Sequence, residues 1–338
     1  MWETALKPLP RFLIGSAWGA WRLARRERPQ LVLAGSGLAA PMAWLAARAS
    51  GAHLAVYLHG LDVIAPSRIY QRVWLPFIRA CDMVLVNSAN TGRLARERGL
   101  AQAKIAVLHP GTDIPELDPA AGDRFRGKFG LAQRPLLISV GRFTRRKGLA
   151  EFVAQSLPSV VDGHPGCLFA IIGEEASDAL HGASGSEREN ILAAARAAGV
   201  EANLQFLGRC DESTLHAAYQ AADCHVFPVL DLPGDVEGFG MVAIESAAHG
   251  LSTVAFAVGG VPEAVAEGVS GHAIAAGDYK TMSDRIVSLL NRPAAQRASD
   301  GLRSRAFAQG FAWALFGHRL RDLAASAIGI SAPGQPGK

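Results

Sequence analysis

Short apolar strand-like runs alternate with helical stretches almost throughout these 338 residues, which predicts an α/β chain built on parallel sheets. Two further observations divide it into two Rossmann-like domains. The alternation pauses from Thr112 to Pro135, where prolines, glycines and charges gather, and then restarts. The length also suffices for two separate cores. We place the first domain at residues 1–130 and the second at 131–310, followed by a helical segment at 311–330.

Each element has a local reason. Leu31–Ala34 is an apolar run that ends in Gly35-Ser36-Gly37, and the alanine-rich Pro41–Ser50 reads as a helix. Leu54–Leu58 is a strand ending at His59-Gly60. Arg68–Ala80 is helical with a kink expected at Pro76. Met83–Val86 is a strand, and Ser88 caps a helix through Arg98. Ile105–Leu108 closes the first set. In the second set, Leu136–Val140, Leu168–Ile172, Leu204–Leu207, His225–Phe227 and Thr253–Phe256 are strands. Helices are expected at Gly148–Val161, Ile191–Ala198, Glu212–Ala222 with Asp211 as cap, and Phe311–Ile328. The polar stretch Ser177–Glu189 reads as a loop.

Composition excludes several classes. Hydrophobic residues make up 49% and charged residues 19%, so the chain is globular rather than disordered. The four cysteines, Cys81, Cys167, Cys210 and Cys224, are widely spaced without a C-x-x-C pair; we read them as reduced core residues and expect no metal site. The net charge is only +4, and no aromatic-basic stripe suggests nucleic acid. No apolar run is long enough to span a bilayer. Phe12–Trp21 mimics a signal peptide but runs straight into Arg22, Arg25, Arg26 and Arg28. Phe12, Leu13, Ala17, Trp18 and Trp21 recur at near-helical spacing. This helix suits either packing on its own domain or contact with an anionic membrane. The expected location is the cytoplasm, with peripheral membrane contact as an option.

Three constellations carry chemistry. Gly141-Arg142-Phe143-Thr144-Arg145-Arg146-Lys147-Gly148 lies between a strand and a helix, where glycines admit a ligand to the backbone and Arg142 and Lys147 can neutralise a diphosphate. Asp235 to Glu263 holds Glu237 and Glu245 around a Gly238-Phe239-Gly240 turn. Eight residues of helix rise about 12 Å, so both acids meet one ligand only if Glu237 sits on the loop and Glu245 on the helix. Backbone N–H groups near Phe239, Gly240 and Met241 would then face a phosphate or sugar. His59, in Leu58-His59-Gly60-Leu61-Asp62, stands at a strand end and suits either a substrate contact or a structural role. His109 and Asp113, in His109-Pro110-Gly111-Thr112-Asp113, suit a cleft or a crossover.

In this order the motifs resemble the retaining glycosyltransferases of GT-B fold, specifically glycosyltransferase family 4, whose members include bacterial mannosyltransferases. The acidic pair Glu237 and Glu245, with seven residues between them, matches the family signature, and Gly259-Gly260-Val261-Pro262-Glu263 completes the series. The resemblance implies two domains facing a central cleft, with the terminal helix packed back on the first. It implies a nucleotide diphosphate sugar as donor, GDP- or UDP-linked with mannose first, and no metal or separate cofactor. Arg142 and Lys147 would bind the diphosphate. Glu245 would hold ribose hydroxyls, and Glu237 with Phe239 and Gly240 the transferred sugar. His59 would face the reacting centre, while loops near Gly173 and Gly208 would approach the base. Asp62, His109 and Asp113 are candidates for the acceptor side or cleft. The acceptor would be a cell-envelope glycan or lipid-linked sugar.

Two departures stand out. The family's opening strand and glycine-rich loop are missing, so the first domain reads as shortened at its N-terminus. Gly173-Glu174-Glu175 stands where the family often has Gly-x-Gly. The shortened start motivates a rival, a nucleotide-sugar-binding protein without transferase activity. A related epimerase or phosphorylase is the other; an epimerase would act without an acceptor.

Overall fold

The structure, a computed structural model, describes residues 9–65, 67–175 and 186–329. It resolves into two compact units: Met1–Pro110 with Gly234–Phe239 and Ala314–Lys338, and Gly111–Pro233 with Gly240–Trp313.

The first unit holds a four-stranded parallel sheet, β1 (Leu31–Ala34), β2 (His53–Leu58), β3 (Met83–Val86) and β4 (Ile105–Val107), in that spatial order. Successive residues of β2 face opposite ways. Val56 and Leu58 enter a core with Val84, Val86, Ile78 and Cys81. Ala55 and Tyr57 face the other side, with Met83, Leu85 and Leu108. There Phe316, Leu320, Leu323 and Ala327 of the Trp313–Ala327 helix cover them. Burial on both faces of β2 and β3 explains why these two strands read as unbroken apolar runs.

Helix Leu9–Glu27 packs on helix Ala40–Ser50. Its faces divide differently from the expectation. Gly19 and Ala24 are buried and Phe12, Leu13, Ala17 and Trp21 half-buried, whereas Ile14 and Trp18 point to solvent. The segment expected as a helix at Arg68–Ala80 contains a π-helical turn, Tyr70–Trp74, before helix Leu75–Arg79. Pro76 has no N–H to continue the usual ladder, and just before it the N–H of Leu75 reaches Tyr70 O, five residues back.

The second unit holds six parallel strands, β5 (Leu136–Val140), β6 (Leu168–Ile172), β7 (Leu204–Gly208), β8 (Cys224–Phe227), β9 (Thr253–Phe256) and β10 (Gly271–Ile274). Their order is β10-β9-β8-β5-β6-β7. The chain winds outward from β5 in one direction, returns to β8 and winds outward in the other. The switch point therefore lies between β5 and β8.

Several expectations change here. The loose stretch Thr112–Pro135 contains helix Ala121–Phe129, whose Phe125 joins the core beneath β5 and β6. The stretch from Gly111 belongs with the second unit, not with a first domain ending at 130. The helix expected at Gly148–Val161 is two, Leu149–Gln155 and Leu157–Gly163, broken at Ser156 before Pro158. Of the Ser177–Glu189 loop, 177–185 lie outside the described residues. Ser186 instead caps a helix starting at Glu187 by accepting the N–H of Glu189. The sequence reading assigns no element between Phe256 and Phe311. The structure places β10 and helices Val261–Ala264, Tyr279–Leu290 and Ala294–Gln309 there. Among the described residues no helix is long and apolar enough to cross a membrane.

Candidate functional site

Two polar clusters form at the carboxyl ends of the parallel strands, one in each unit, where open α/β sheets bind ligands. In the first unit, β2 delivers His59 to solvent. Its Nε2 lies 2.9 Å from Gly35 O, in the loop after β1, so that nitrogen donates the hydrogen bond. The backbone N–H of His59 donates to Asp62 Oδ2 at 3.0 Å. Burial pushes the Asp62 carboxyl above its ordinary value, against the lowering effect of the His59 and Gly37 N–H groups. Asp62 thus holds the turn that presents His59.

The acidic motif joins this cluster. Gly234–Phe239 makes its contacts with the first unit, although the sequence places it in the second domain. The reason is steric. A Cβ on Gly238 would stand 2.3 Å from His59 O and 2.7 Å from Asn87 Nδ2, so only glycine lets this backbone meet the end of β2. Asn87 is held by Thr91, whose hydroxyl donates to Asn87 Oδ1 at 2.8 Å, and Ser88 caps the same helix. Phe239 stacks on His109, with ring centroids 5.3 Å apart. Glu237, half-buried, thus sits on a loop pinned from the residues that follow it.

In the second unit the carboxyl ends of β5, β6 and β7 are tied together. Gly141 N–H donates to Ile172 O, and Gly173 N–H donates to Gly208 O, both at 2.9 Å. Gly173 has φ +143°, and a Cβ there would fall 1.9 Å from Gly141 O, so glycine is obligatory. Beside this seam, Lys147 reaches over the Phe227 ring at the end of β8, with Nζ 4.5 Å from the ring centroid. Its side chain also passes Gly141. Lys147 therefore bridges the ends of β5 and β8, at the switch point. Arg142, from the same loop, is exposed.

Glu245 lies in helix Met241–Ala248, which starts at Gly240 with no side-chain cap on its first N–H groups. Loop-borne Glu237 and helix-borne Glu245 is the arrangement the sequence required. Glu245 lines a cavity of about 200 Å³ together with Met241, Asp113, His216, Tyr219 and Trp313. Burial raises the Glu245 carboxyl, while the Tyr219 hydroxyl and the charges of Lys147 and His216 act to lower it. Asp113 belongs to this cavity, and His109 to the first unit.

Sequence reasoning missed Tyr219, His216 and His249. Tyr219 donates to Glu245 Oε2 at 3.1 Å, and its ring stacks on His249. The spacing of His216 to Tyr219, i to i+3, and of Glu245 to His249, i to i+4, places each pair on one helix face and was a usable signal. The cysteines are free, and Cys81, Cys167 and Cys224 are buried. Among the described residues no group of three or more His, Cys, Asp or Glu side chains is placed to hold a metal ion.

The chain resembles known proteins along most of its length. Residues 1–116 match the family Glycosyltransferase Family 4, and residues 123–305 match Glycosyl transferases group 1. The D-inositol 3-phosphate glycosyltransferase of Segniliparus rotundus is 31% identical over 232 residues, 68% of this chain and 49% of that protein. The chain thus spans about half the length of that curated relative. A GDP-mannose-dependent alpha-(1-6)-phosphatidylinositol monomannoside mannosyltransferase of Mycolicibacterium smegmatis is 28% identical over 305 residues, 85% of this chain and 74% of that one. In fold, Anabaena Alr3699/HepE, solved with UDP-glucose, matches with a TM-score of 0.77 at 21% identity, covering 96% of this chain and 84% of that one. Two parallel-sheet Rossmann-like units, the acidic motif and these matches agree: the chain belongs to the group 1 glycosyl transferases, with a GT-B fold of the family 4 type.

Proposed function

We propose that the chain is a retaining hexosyltransferase that moves a sugar from a nucleotide diphosphate donor to a cell-envelope glycan or lipid-linked acceptor. The observation that carries this reading is Lys147 at the β5/β8 switch point, beside the Glu245 cavity. A donor diphosphate there meets a fixed positive charge, and ribose hydroxyls find a carboxylate. Arg142 supplies a second, planar cation from the same loop. Glu237 and the N–H groups at Phe239 and Gly240 hold the transferred sugar. In the first unit His59 would meet the reacting carbon, with Asp62 and His109 on that unit's acceptor side, while Asp113 lines the Glu245 cavity of the second unit. The acceptor hydroxyl attacks on the face from which the diphosphate leaves, and Lys147 and Arg142 stabilise the developing negative charge. No metal or further cofactor enters this scheme. The GDP-mannose dependence of the Mycolicibacterium relative favours mannose, with UDP-sugars next.

Thermal unfolding with UDP, GDP, ADP and their sugar conjugates tests the donor site. One nucleotide family should stabilise the protein selectively, by about 2.7 kcal/mol at a hundredfold excess over Kd. Indifference to all of them removes the basis of the proposal.

A peripheral location on an anionic membrane completes the reading. It is supported by Ile14 and Trp18, exposed one turn apart, with the Arg22 guanidinium 5.3 Å from the Trp18 ring centroid. The double variant Ile14→Glu, Trp18→Glu should lose co-sedimentation with anionic vesicles. It should keep its melting temperature, because both side chains are exposed. Undiminished vesicle binding would assign this helix a purely internal role.

A further inference from the structure

Glu245 is held in place by neighbours that the family motif does not include. Tyr219, in helix Glu212–Ala221, is 2% exposed and its hydroxyl donates to Glu245 Oε2 at 3.1 Å. Its ring stacks on His249 with centroids 4.9 Å apart and planes 25° from parallel. His249 Nδ1 lies 2.7 Å from the backbone carbonyl of Glu245, one helical turn earlier. A carbonyl only accepts, so this nitrogen carries a proton. His249 Nε2 lies 2.9 Å from His216 Nδ1. Burial holds the His249 imidazole down to about 4, so it is neutral near pH 7. Its Nε2 then accepts, and His216 Nδ1 must donate. One direction of hydrogen bonding satisfies the whole chain, from His216 through His249 to the Glu245 backbone.

This leaves a defined chemistry at the carboxylate. Tyr219 occupies part of Oε2, and the remaining lone pairs of Glu245 are the acceptors available to a ligand. We propose, resting on the donor-site reading above, that Tyr219 is a positioning residue for Glu245, fixing the carboxylate so that it accepts hydroxyl groups of the bound nucleotide sugar. The phenol acts twice. It orients the carboxylate, and it donates to the charged form, which favours ionisation against the burial that opposes it.

Tyr219→Phe removes one oxygen and keeps the ring that stacks on His249, so it isolates the hydrogen bond. Removing an influence that lowers the Glu245 pKa moves that pKa up. Ionised Glu245 is then lost at a higher pH as the solution is acidified. Other charged and titratable groups face the same place: Lys147 after β5, His216 and Glu212 on the helix of Tyr219, and Asp113 across the cavity. Arg305, on helix Ala294–Gln309, acts on His249. His216→Gln is therefore run beside Tyr219→Phe.

The experiment is calorimetric titration with UDP, GDP and their glucose and mannose conjugates from pH 5 to 8, with steady-state kinetics on the donor that binds. Tyr219→Phe should weaken that ligand about tenfold near neutral pH. It should raise KM for the donor with little change in kcat. The acid limb of binding should move to higher pH and survive in His216→Gln. A purely structural tyrosine would lower the melting temperature and leave the acid limb where it was. Wild-type binding with an unmoved limb and unchanged KM in Tyr219→Phe overturns the positioning role and spares the donor-site reading. A limb that vanishes in His216→Gln belongs to the imidazole and also overturns the role. Failure of the wild type to bind any of these ligands overturns both.

Discussion

Glu237→Ala should lower sugar transfer by about a hundredfold or more while the variant folds normally. The residues on either side of it seat its backbone. Gly238 is seated against the His59 carbonyl and Asn87, and Phe239 is stacked on His109. The Gly60 turn meets Val236 on the other side, where a Cβ on Gly60 would come within 3.2 Å of Val236 Cγ1. Truncating a half-buried acid on a loop fixed at both flanks removes its chemistry and leaves its frame. Initial rates with saturating donor and acceptor, beside a melting curve, provide the check. Transfer within about threefold of wild type, at an unchanged melting temperature, removes Glu237 from the reacting centre.

Lys147→Ala should produce a comparable loss, seen mainly in kcat, of about 10²–10³-fold. The ammonium lies at the β5/β8 switch point, and its charge also reaches Glu245 and the buried His225. On the proposed reading, deleting it withdraws stabilisation from the leaving diphosphate. It also removes one influence that lowers the Glu245 carboxyl, so nucleotide affinity should fade at a higher pH on acidification than in the wild type. The packing of Lys147 over Phe227 adds a stability loss of about 0.5–2 kcal/mol. Lys147→Met keeps much of the stem and separates that loss from the charge. If Lys147→Met transfers sugar at the wild-type rate, the electrostatic role is wrong.

Much of this could be read from residues in order. The strands were legible because burial on both sheet faces demands unbroken apolar runs, such as Leu136–Val140 and Leu168–Ile172, which the structure reproduces to the residue. Ser88 and Asp211 were legible as caps because a cap is a local hydrogen bond, and both accept the N–H three residues on. β10 escaped, since Gly271-His272-Ala273-Ile274 has little strand character alone and is made a strand by pairing with Thr253–Phe256. Helix Ala294–Gln309 escaped because its Gly301 and scattered polar residues blur the period. A Cβ on Gly301 would come within 3.1 Å of the Gly250 carbonyl oxygen, which is a tertiary reason for the glycine.

The chemistry divides in the same way. The sequence alone determined which residues are available: the acids Glu237 and Glu245 in register around a glycine turn, the basic loop ending in Lys147, and His59 at a strand end. Those follow from spacing along one segment, where chain geometry is nearly fixed. Only the tertiary structure decided what each residue touches. It gave the Glu237 loop to the first unit and Glu245 to the second. It set Lys147 over Phe227, eighty residues later in the chain, and it supplied Glu245 with the Tyr219 hydroxyl and the His216–His249 pair. Contacts between distant segments depend on strand order and on how helices pack upon the sheet. No local period encodes either, because both are settled by the burial of the whole core.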